Sequence, residues 1–268
     1  MPDLAFLDTA TVRDRAEKLA QDDSLGEGEE RWAVVSELHR RGSSAVYEAA
    51  TAWCVSQQPL LRSLGADVLG QLGCSEGHPF AEPSTQTLMD LLKDPDPNVV
   101  DSAVVALGHL ETGDLHTICA LVSHASSEVR HAVAFCLGGR DDDLAIQTLE
   151  RLSRDVDPDV RNWATFGLGT LSKADTPALR DALVERLVDD DADVRGEAMR
   201  GLALRRDLRA ARAILDELQR PDGSDLAIEA ASKMPRKEFV PLLEALLAAQ
   251  PQAEHVRLAI EECRRTAA

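Results

Sequence analysis

The sequence predicts an all-α fold in which helical hairpins repeat and stack into a solenoid. Hydrophobic residues make up 44% of the 268-residue chain and aromatic residues only 3%. The apolar content is therefore mostly Ala, Leu and Val, a mixture that suits closely packed helices better than sheets. A similar segment also begins at residues 94, 124, 155 and 189. Each copy carries apolar residues at helical spacing, which predicts an amphipathic helix in every repeat.

The four copies share one plan, a polar turn followed by a helix. They are DPDPNVVDSAVVALG (94–108), HASSEVRHAVAFCLG (124–138), DVDPDVRNWATFGLG (155–169) and DDDADVRGEAMRGLA (189–203). In the third copy the apolar stripe is Val160, Ala164, Gly167 and Leu168. The column that contains Gly167 holds only small residues, so we expect neighbouring helices to approach closely there. The other members of this column are Ala106, Cys136 and Gly201.

Second apolar-periodic stretches lie between the copies, so the repeating unit is helix, turn, helix. These stretches are TQTLMDLLK, DLHTICALVSH, LAIQTLERLSR and PALRDALVERLV. Asp residues in the turns are expected to cap the second helix, and Pro97 and Pro158 fit its first turn. Weaker copies extend the array in both directions. We therefore expect residues 1–55 to form N-terminal capping helices and the first helix of the array, and residues 56–268 to form one continuous repeat array.

The pattern D-x-D-x-x-V-R-x-x-A-x-x-x-L-G resembles the HEAT repeat, in particular the bacterial HEAT-like version of the phycobilisome-lyase type. The resemblance covers most of residues 56–263. It implies a right-handed α-solenoid of about six to seven HEAT-like hairpins. It also implies a hydrogen-bonded ladder between successive repeats, made by the turn Asp and the Arg after Val. The matching residues are Asp155 with Arg161 and Asp189 with Arg195, whereas His124 and Val100 depart from the pattern.

The resemblance also implies that the second helix of each repeat lines a concave surface. On that helix the third and seventh residues, counted from the first apolar residue of the stripe, point away from the core stripe. These positions begin with Ser63 and Asp67 and later include Gly196. Together with two neighbouring residues they define a candidate ridge for binding a partner. The candidate ridge consists of Asp101, Val105, His131, Phe135, Asn162, Trp163, Phe166, Glu197 and Arg200.

Two features of the candidate ridge allow alternative interpretations. Val105, Phe135 and Phe166 would form an apolar stripe, and exposed apolar stripes usually mark contact surfaces. If the helices are rotated by one position, however, Phe135 and Phe166 belong to the core between repeats. Glu197 and Arg200 are three residues apart and form either a surface ion pair or a cationic spot for a partner's carboxylate.

Composition and motifs favour a non-catalytic protein. The formal net charge of −18 repels phosphate backbones, so nucleic acid is not an expected partner. The five cysteines are widely spaced without a CxxC motif, which is typical of a reducing cytoplasm. A signal sequence and a membrane-spanning apolar run are both lacking. HExxH, GxSxG and Walker motifs are also lacking, so we predict no catalytic residue, metal or cofactor.

The sequence thus predicts a cytoplasmic module that binds another protein on its concave face, as an adaptor, a regulator or an immunity-type inhibitor. Its acidity favours a partner with a basic surface. The resemblance leaves two alternatives open. One is a phycobilin-lyase-like protein that handles a chromophore or its attachment, and the other is a HEAT-like DNA glycosylase. The oligomeric state stays open.

Overall fold

A computed structural model describes residues 4–21, 29–220 and 224–265. All regular elements within these residues are helical, and they include no strand. The all-α solenoid class predicted from the sequence is therefore confirmed. None of the described helices is both long and apolar enough to cross a bilayer. The chain divides into two compact units, Met1–Cys136 and Leu137–Ala268.

Helices follow one another in pairs through both units. The first unit contains α1 (Thr9–Gln21), α2 (Glu29–Arg41), α3 (Ser44–Cys54), α4 (Pro59–Gln71), α5 (Ala81–Leu91), α6 (Pro97–Leu110), α7 (Leu115–Ala120) and α8 (Ser127–Leu137), the last residue of which begins the second unit. The second unit contains α9 (Asp143–Leu152), α10 (Pro158–Phe166), α11 (Pro177–Arg186), α12 (Ala192–Leu204), α13 (Ala211–Leu218), α14 (Asp225–Lys233), α15 (Val240–Ala249) and α16 (Glu254–Arg265).

The helix order reproduces the repeat read from the sequence. Helices α6, α8, α10 and α12 belong to the four 15-residue copies, and α5, α7, α9 and α11 are the stretches that precede them. From α3 to α16 the chain holds seven helix pairs, as expected. Ahead of them α1 packs against α2, and α2 packs on α4. The expected division between a cap and an array at residue 55 stays a prediction.

Acidic caps start the second helix of several repeats, as predicted. Asp96, Asp157 and Asp191 each accept a backbone N–H two residues ahead, at 2.9, 3.0 and 2.9 Å. Such a cap stabilises a helix by about 1 kcal/mol, because it satisfies an N–H that the helix itself leaves unbonded. Pro97 and Pro158 occupy the first turn of α6 and α10, where no N–H is needed. The second helix of each of these repeats therefore begins at a fixed residue.

Close approach between helices depends on the column of small residues. A Cβ atom added to Gly201 would lie 2.5 Å from Cα of Gly169, and one added to Gly70 would lie 2.8 Å from Cα of Ala106. No side chain fits at such distances. Helix α12 can therefore pack on the turn that ends α10 only because Gly201 and Gly169 are both glycines. The predicted close approach is confirmed at Ala106, Cys136 and Gly201, whereas a Cβ atom on Gly167 would make only an ordinary contact at 3.4 Å. Helix α10 also ends in a π-helical turn, Gly167–Leu171.

Candidate functional site

Ion pairs between successive repeats hold the second helices of these repeats in register. Arg161 donates to both carboxylate oxygens of Asp189 at 2.9 and 2.8 Å, and its third nitrogen donates to the carbonyl of Asp155 at 3.0 Å. Arg62 and Asp94 form the same pair in the first unit, at 2.6 and 2.8 Å. Each ladder arginine thus binds the carboxylate of the following repeat and only the backbone of its own.

Burial and pairing oppose each other at the ladder carboxylates. Burial raises the pKa of Asp189, but hydrogen bonds from Arg161 outweigh it and hold that pKa below its usual value. Arg195 lies 3.6 Å from Glu217 of α13, a longer contact than those that join Arg161 to Asp189. The ladder is therefore weaker there, and it belongs to the framework that orients the candidate ridge.

In the first unit the ridge position on α6 is an isolated carboxylate. Asp101 is half-buried, and the described residues provide neither a cation nor a hydrogen-bond donor for it. Burial, then the neighbouring charges of Asp67 and Glu128, raise the pKa of Asp101 to about 7. Val105 lies one turn further along the same helix and is also half-buried. This face of α6 therefore combines an unneutralised acid with an apolar neighbour.

The prediction that the α4 positions Ser63 and Asp67 are exposed is wrong. Ser63 is 3% exposed, and the Asp67 side chain is 9% exposed. Arg31 of α2 covers both, because its guanidinium forms an ion pair with Asp67 and donates to Ser63 at 3.3 Å. Burial raises the pKa of Asp67, while Arg31 opposes this shift. Asp101 is thus the first carboxylate along the ridge that lacks an internal cation.

Phe135 on α8 has features of both a surface residue and a core residue. Its ring is half-buried and meets His109 edge to face, with centroids 5.1 Å apart. A Cβ atom added to Gly108 would lie 3.1 Å from the ring edge, so Phe135 packs over the end of α6. His131, one turn earlier on α8, is half-buried as well. Part of Phe135 therefore remains at the surface, near the end of α6.

In the second unit the ridge aromatics lie on α10. Trp163 and Phe166 are both half-buried and meet edge to face, with centroids 5.7 Å apart. The side-chain oxygen of Asn162 is buried, and the described residues offer it no hydrogen-bond donor. Gly196, the ridge position on α12, was expected to be exposed, but it is buried. Leu226 of α14 packs over it, and a Cβ there would lie 2.5 Å from the leucine side chain.

Glu197 and Arg200 on α12 form part of an ion-pair group. Arg200 lies 3.1 Å from Glu229 of α14 and 3.7 Å from Glu197. The Thr170 hydroxyl donates to Glu197 at 3.3 Å. Burial raises the pKa of Glu197, and Arg200 opposes the shift. Arg200 is therefore already committed to two carboxylates, which favours the surface ion pair over a cationic spot.

Sequence reasoning did not find the role of Arg205, which lies in the charged segment after α12. Its guanidinium is 8% exposed and donates to backbone carbonyls, including Gly169 at 2.5 Å, Leu168 at 2.9 Å and Gly201 at 3.0 Å. These carbonyls lie in the π-helical turn that ends α10 and in the last turn of α12, where no helical N–H can bond them. Arg205 therefore satisfies the helix ends, and no partner needs to be invoked for its charge.

The profile of the family described as HEAT repeats matches residues 115–203 and 149–232. These ranges contain three of the four copies and the ladder pair Arg161–Asp189. The chain therefore contains HEAT repeats. Protein YibA of Escherichia coli strain K12 is 36% identical to this HEAT-repeat chain over 141 residues, which are 53% of this chain and 50% of YibA. The chain thus spans about half the length of the curated relatives it matches.

Solved structures share the fold over more of the chain. The X-ray structure of YibA has a TM-score of 0.75 and 26% identity, over 97% of this HEAT-repeat chain and 94% of that one. An archaeal HEAT-like repeats protein from Thermococcus onnurineus NA1 has a TM-score of 0.53 and 13% identity, over 90% and 98%. The CpcE–CpcF complex of phycocyanin lyase from Nostoc sp. PCC7120 reaches a TM-score of 0.45 and 20% identity, over 92% and 94%. That last score is too low to carry a functional argument.

Proposed function

We propose that this HEAT-repeat chain is a protein-binding module, and that the first-unit part of its candidate ridge takes a basic side chain of the partner. The supporting observation is the carboxylate of Asp101, which is half-buried with no cation among the described residues around it. A half-buried carboxylate of this kind costs free energy until a positive charge neutralises it. A Lys or Arg of the partner would supply that charge.

The surroundings of Asp101 suit a partner contact. Val105, one turn from Asp101 on α6, provides apolar surface next to the acid, and Phe135 adds an aromatic ring further along, against the end of the same helix. An apolar contact that excludes water around a charge pair is the usual arrangement of a binding hot spot. The net charge of −18 adds long-range attraction toward a basic partner. The proposed partner is therefore a protein that presents a cation beside an apolar side chain.

The proposal is tested by capture from the native cell with tagged protein, followed by mass spectrometry of what is retained. We expect Asp101→Asn to reduce the captured partner at least about tenfold, because the amide keeps the shape and removes the charge. Asp90→Asn is the matched control, since Asp90 is exposed on α5. Capture by the two variants at equal levels would exclude Asp101 as the contact.

A pair of aromatic variants separates the two parts of the candidate ridge. Phe135→Glu alters the first unit and Phe166→Glu alters the second, and circular dichroism verifies that helical content is unchanged. Loss of capture with Phe135→Glu alone places the partner on the first unit. Retention with both variants would contradict a role for either aromatic residue.

Proton linkage provides a further readout with the purified partner. A partner cation favours the ionised form of Asp101, whose pKa lies at about 7. The affinity should therefore rise as the pH rises through 7, and this rise should vanish in Asp101→Asn.

The lyase and glycosylase alternatives stay predictions. A bilin-dependent absorbance change would support the first, and a salt-sensitive DNA gel shift would support the second.

A further inference from the structure

A cleft in the second unit collects positive charge in a chain that is otherwise strongly acidic. The cleft has a volume of about 490 Å³ and lies where α12, α14 and α16 end. Among the described residues, four cationic side chains and one acidic side chain line it: Arg206, Lys233, Arg236 and Arg265, and Glu262. Four cations around one carboxylate contrast with the net charge of −18 for the whole chain. Local selection for a negatively charged ligand would explain this contrast.

Only part of this positive charge is already neutralised. Arg236 forms an ion pair with Glu238 at 2.6 Å, and Arg265 forms one with Glu262. Arg206 and Lys233 are both exposed, and their side chains have no ion pair with any of the described residues. The cleft therefore offers two uncommitted cations, which match the two negative charges of a phosphate monoester.

The backbone at Arg206 gives independent support for a role of its side chain. Arg206 has φ of 52°, in the left-handed region that favours glycine. At comparable turns after α2, α4 and α8 the residue in this region is Gly42, Gly73 or Gly139, and after α6 it is Glu111. An arginine here keeps a strained backbone that glycine would relieve, and such strain is typically retained where the side chain has a use.

The remaining wall of the cleft is apolar. Leu208 is 64% exposed, and Met234 and Pro235 complete this wall. A volume of about 490 Å³ falls in the range of small-molecule sites and is far larger than a bare phosphate ion. The ligand that fits both walls has a phosphate group at one end and an apolar organic group at the other.

We propose that this cleft is a binding site for an organic phosphate monoester, with Arg206 and Lys233 holding the phosphate and Leu208 and Met234 contacting the organic group. The site is separate from the candidate ridge and does not depend on the proposed protein partner. Ser232 also lines the cleft and can donate a hydrogen bond to a phosphate oxygen.

The test uses the full chain and phenyl phosphate as the probe, with binding followed by backbone amide chemical shifts in NMR. We expect saturable shifts at residues 206–208 and 232–236. Benzoate, which has one negative charge, and inorganic phosphate, which lacks the ring, should each bind at least about tenfold more weakly. Benzoate or inorganic phosphate binding as tightly as phenyl phosphate would overturn the proposal, and so would the absence of saturable shifts at about 10 mM probe.

Three variants test the residues. Arg206→Gly should weaken phenyl phosphate binding about tenfold or more while the urea midpoint stays equal or rises, because glycine relieves the left-handed backbone. Lys233→Gln should weaken binding to a similar extent. Lys237→Gln removes a nearby exposed charge that does not line the cleft, and it should change binding less than about twofold. Equal losses in Lys237→Gln and Arg206→Gly would show that only general charge matters and would refute the site.

Discussion

Replacing Asp101 by Asn should stabilise the protein at neutral and alkaline pH and leave its stability unchanged in acid. In the folded protein the pKa of Asp101 lies at about 7, compared with an ordinary value of 3.8. A carboxyl with a raised pKa binds more protons in the folded state than in the unfolded state between these two values. Stability therefore falls as pH rises through this window, and the whole cost of the ionised group is present above about pH 7.

The magnitude follows from the size of the pKa shift. The difference is about three pKa units, and one unit corresponds to about 1.36 kcal/mol, so the ionised carboxylate costs up to about 4 kcal/mol. Asparagine has nearly the same shape and no charge, so it avoids this cost. We expect Asp101→Asn to raise the free energy of unfolding by about 2–4 kcal/mol at about pH 8 and by almost nothing at about pH 4.

Urea titrations of both proteins across this pH range measure the effect, and NMR of the Asp101 side-chain carboxyl measures the pKa directly. Asp114→Asn is a control, because the ionised carboxylate of Asp114 stabilises the folded protein whereas that of Asp101 destabilises it. Hydrogen bonds from Thr117 hold the pKa of Asp114 below its usual range. Its contribution to stability is therefore present above about pH 4 and is lost in acid. A carboxyl resonance of Asp101 that titrates below about pH 5, or an unchanged urea midpoint at about pH 8, would refute the reasoning.

Two further predictions concern contacts between repeats, and both are read from urea midpoints. Arg161→Met should lower the free energy of unfolding by about 2–3 kcal/mol, because it leaves the nearly buried Asp189 without its main partner. The loss should be less than additive with that of Asp189→Asn, and simple additivity would argue against coupling. Gly201→Ala should destabilise by about 1–3 kcal/mol despite the higher helix propensity of alanine, because its methyl would lie 2.5 Å from Cα of Gly169. Gly167→Ala is the control, since its nearest neighbour atom would be 3.4 Å away; equal losses in the two alanine variants would show that crowding is not the cause.

The sequence predicted the repeat and its phase because both depend on local spacing. The leucines that end the apolar stripe of each copy, among them Leu107 and Leu168, are fully buried, and the small-residue column makes close contacts at Ala106 and Gly201. Exposure of Asp67 and Gly196 was predicted wrongly for a different reason. The phase of a helix gives the direction of a side chain, but it does not show which side chain a neighbouring helix brings to that place. Arg31 and Leu226, which cover these positions, lie in the less regular repeats toward either end of the chain.

The basic cleft was missed because its cations come from the ends of three helices and the turns after them, about 30 residues apart in sequence, and because the total charge has the opposite sign. A net charge of −18 acts over long distances and slows the approach of an anion. At physiological ionic strength, however, charges more than about 8 Å apart are largely screened, so retention of a bound anion depends on the cations that line its site. Screening of the two effects changes the affinity for an anion in opposite directions. Added salt should raise the association rate constant of an organic phosphate, because it screens the repulsion of the whole chain. It should raise the dissociation rate constant as well, because it weakens the attraction of Arg206 and Lys233.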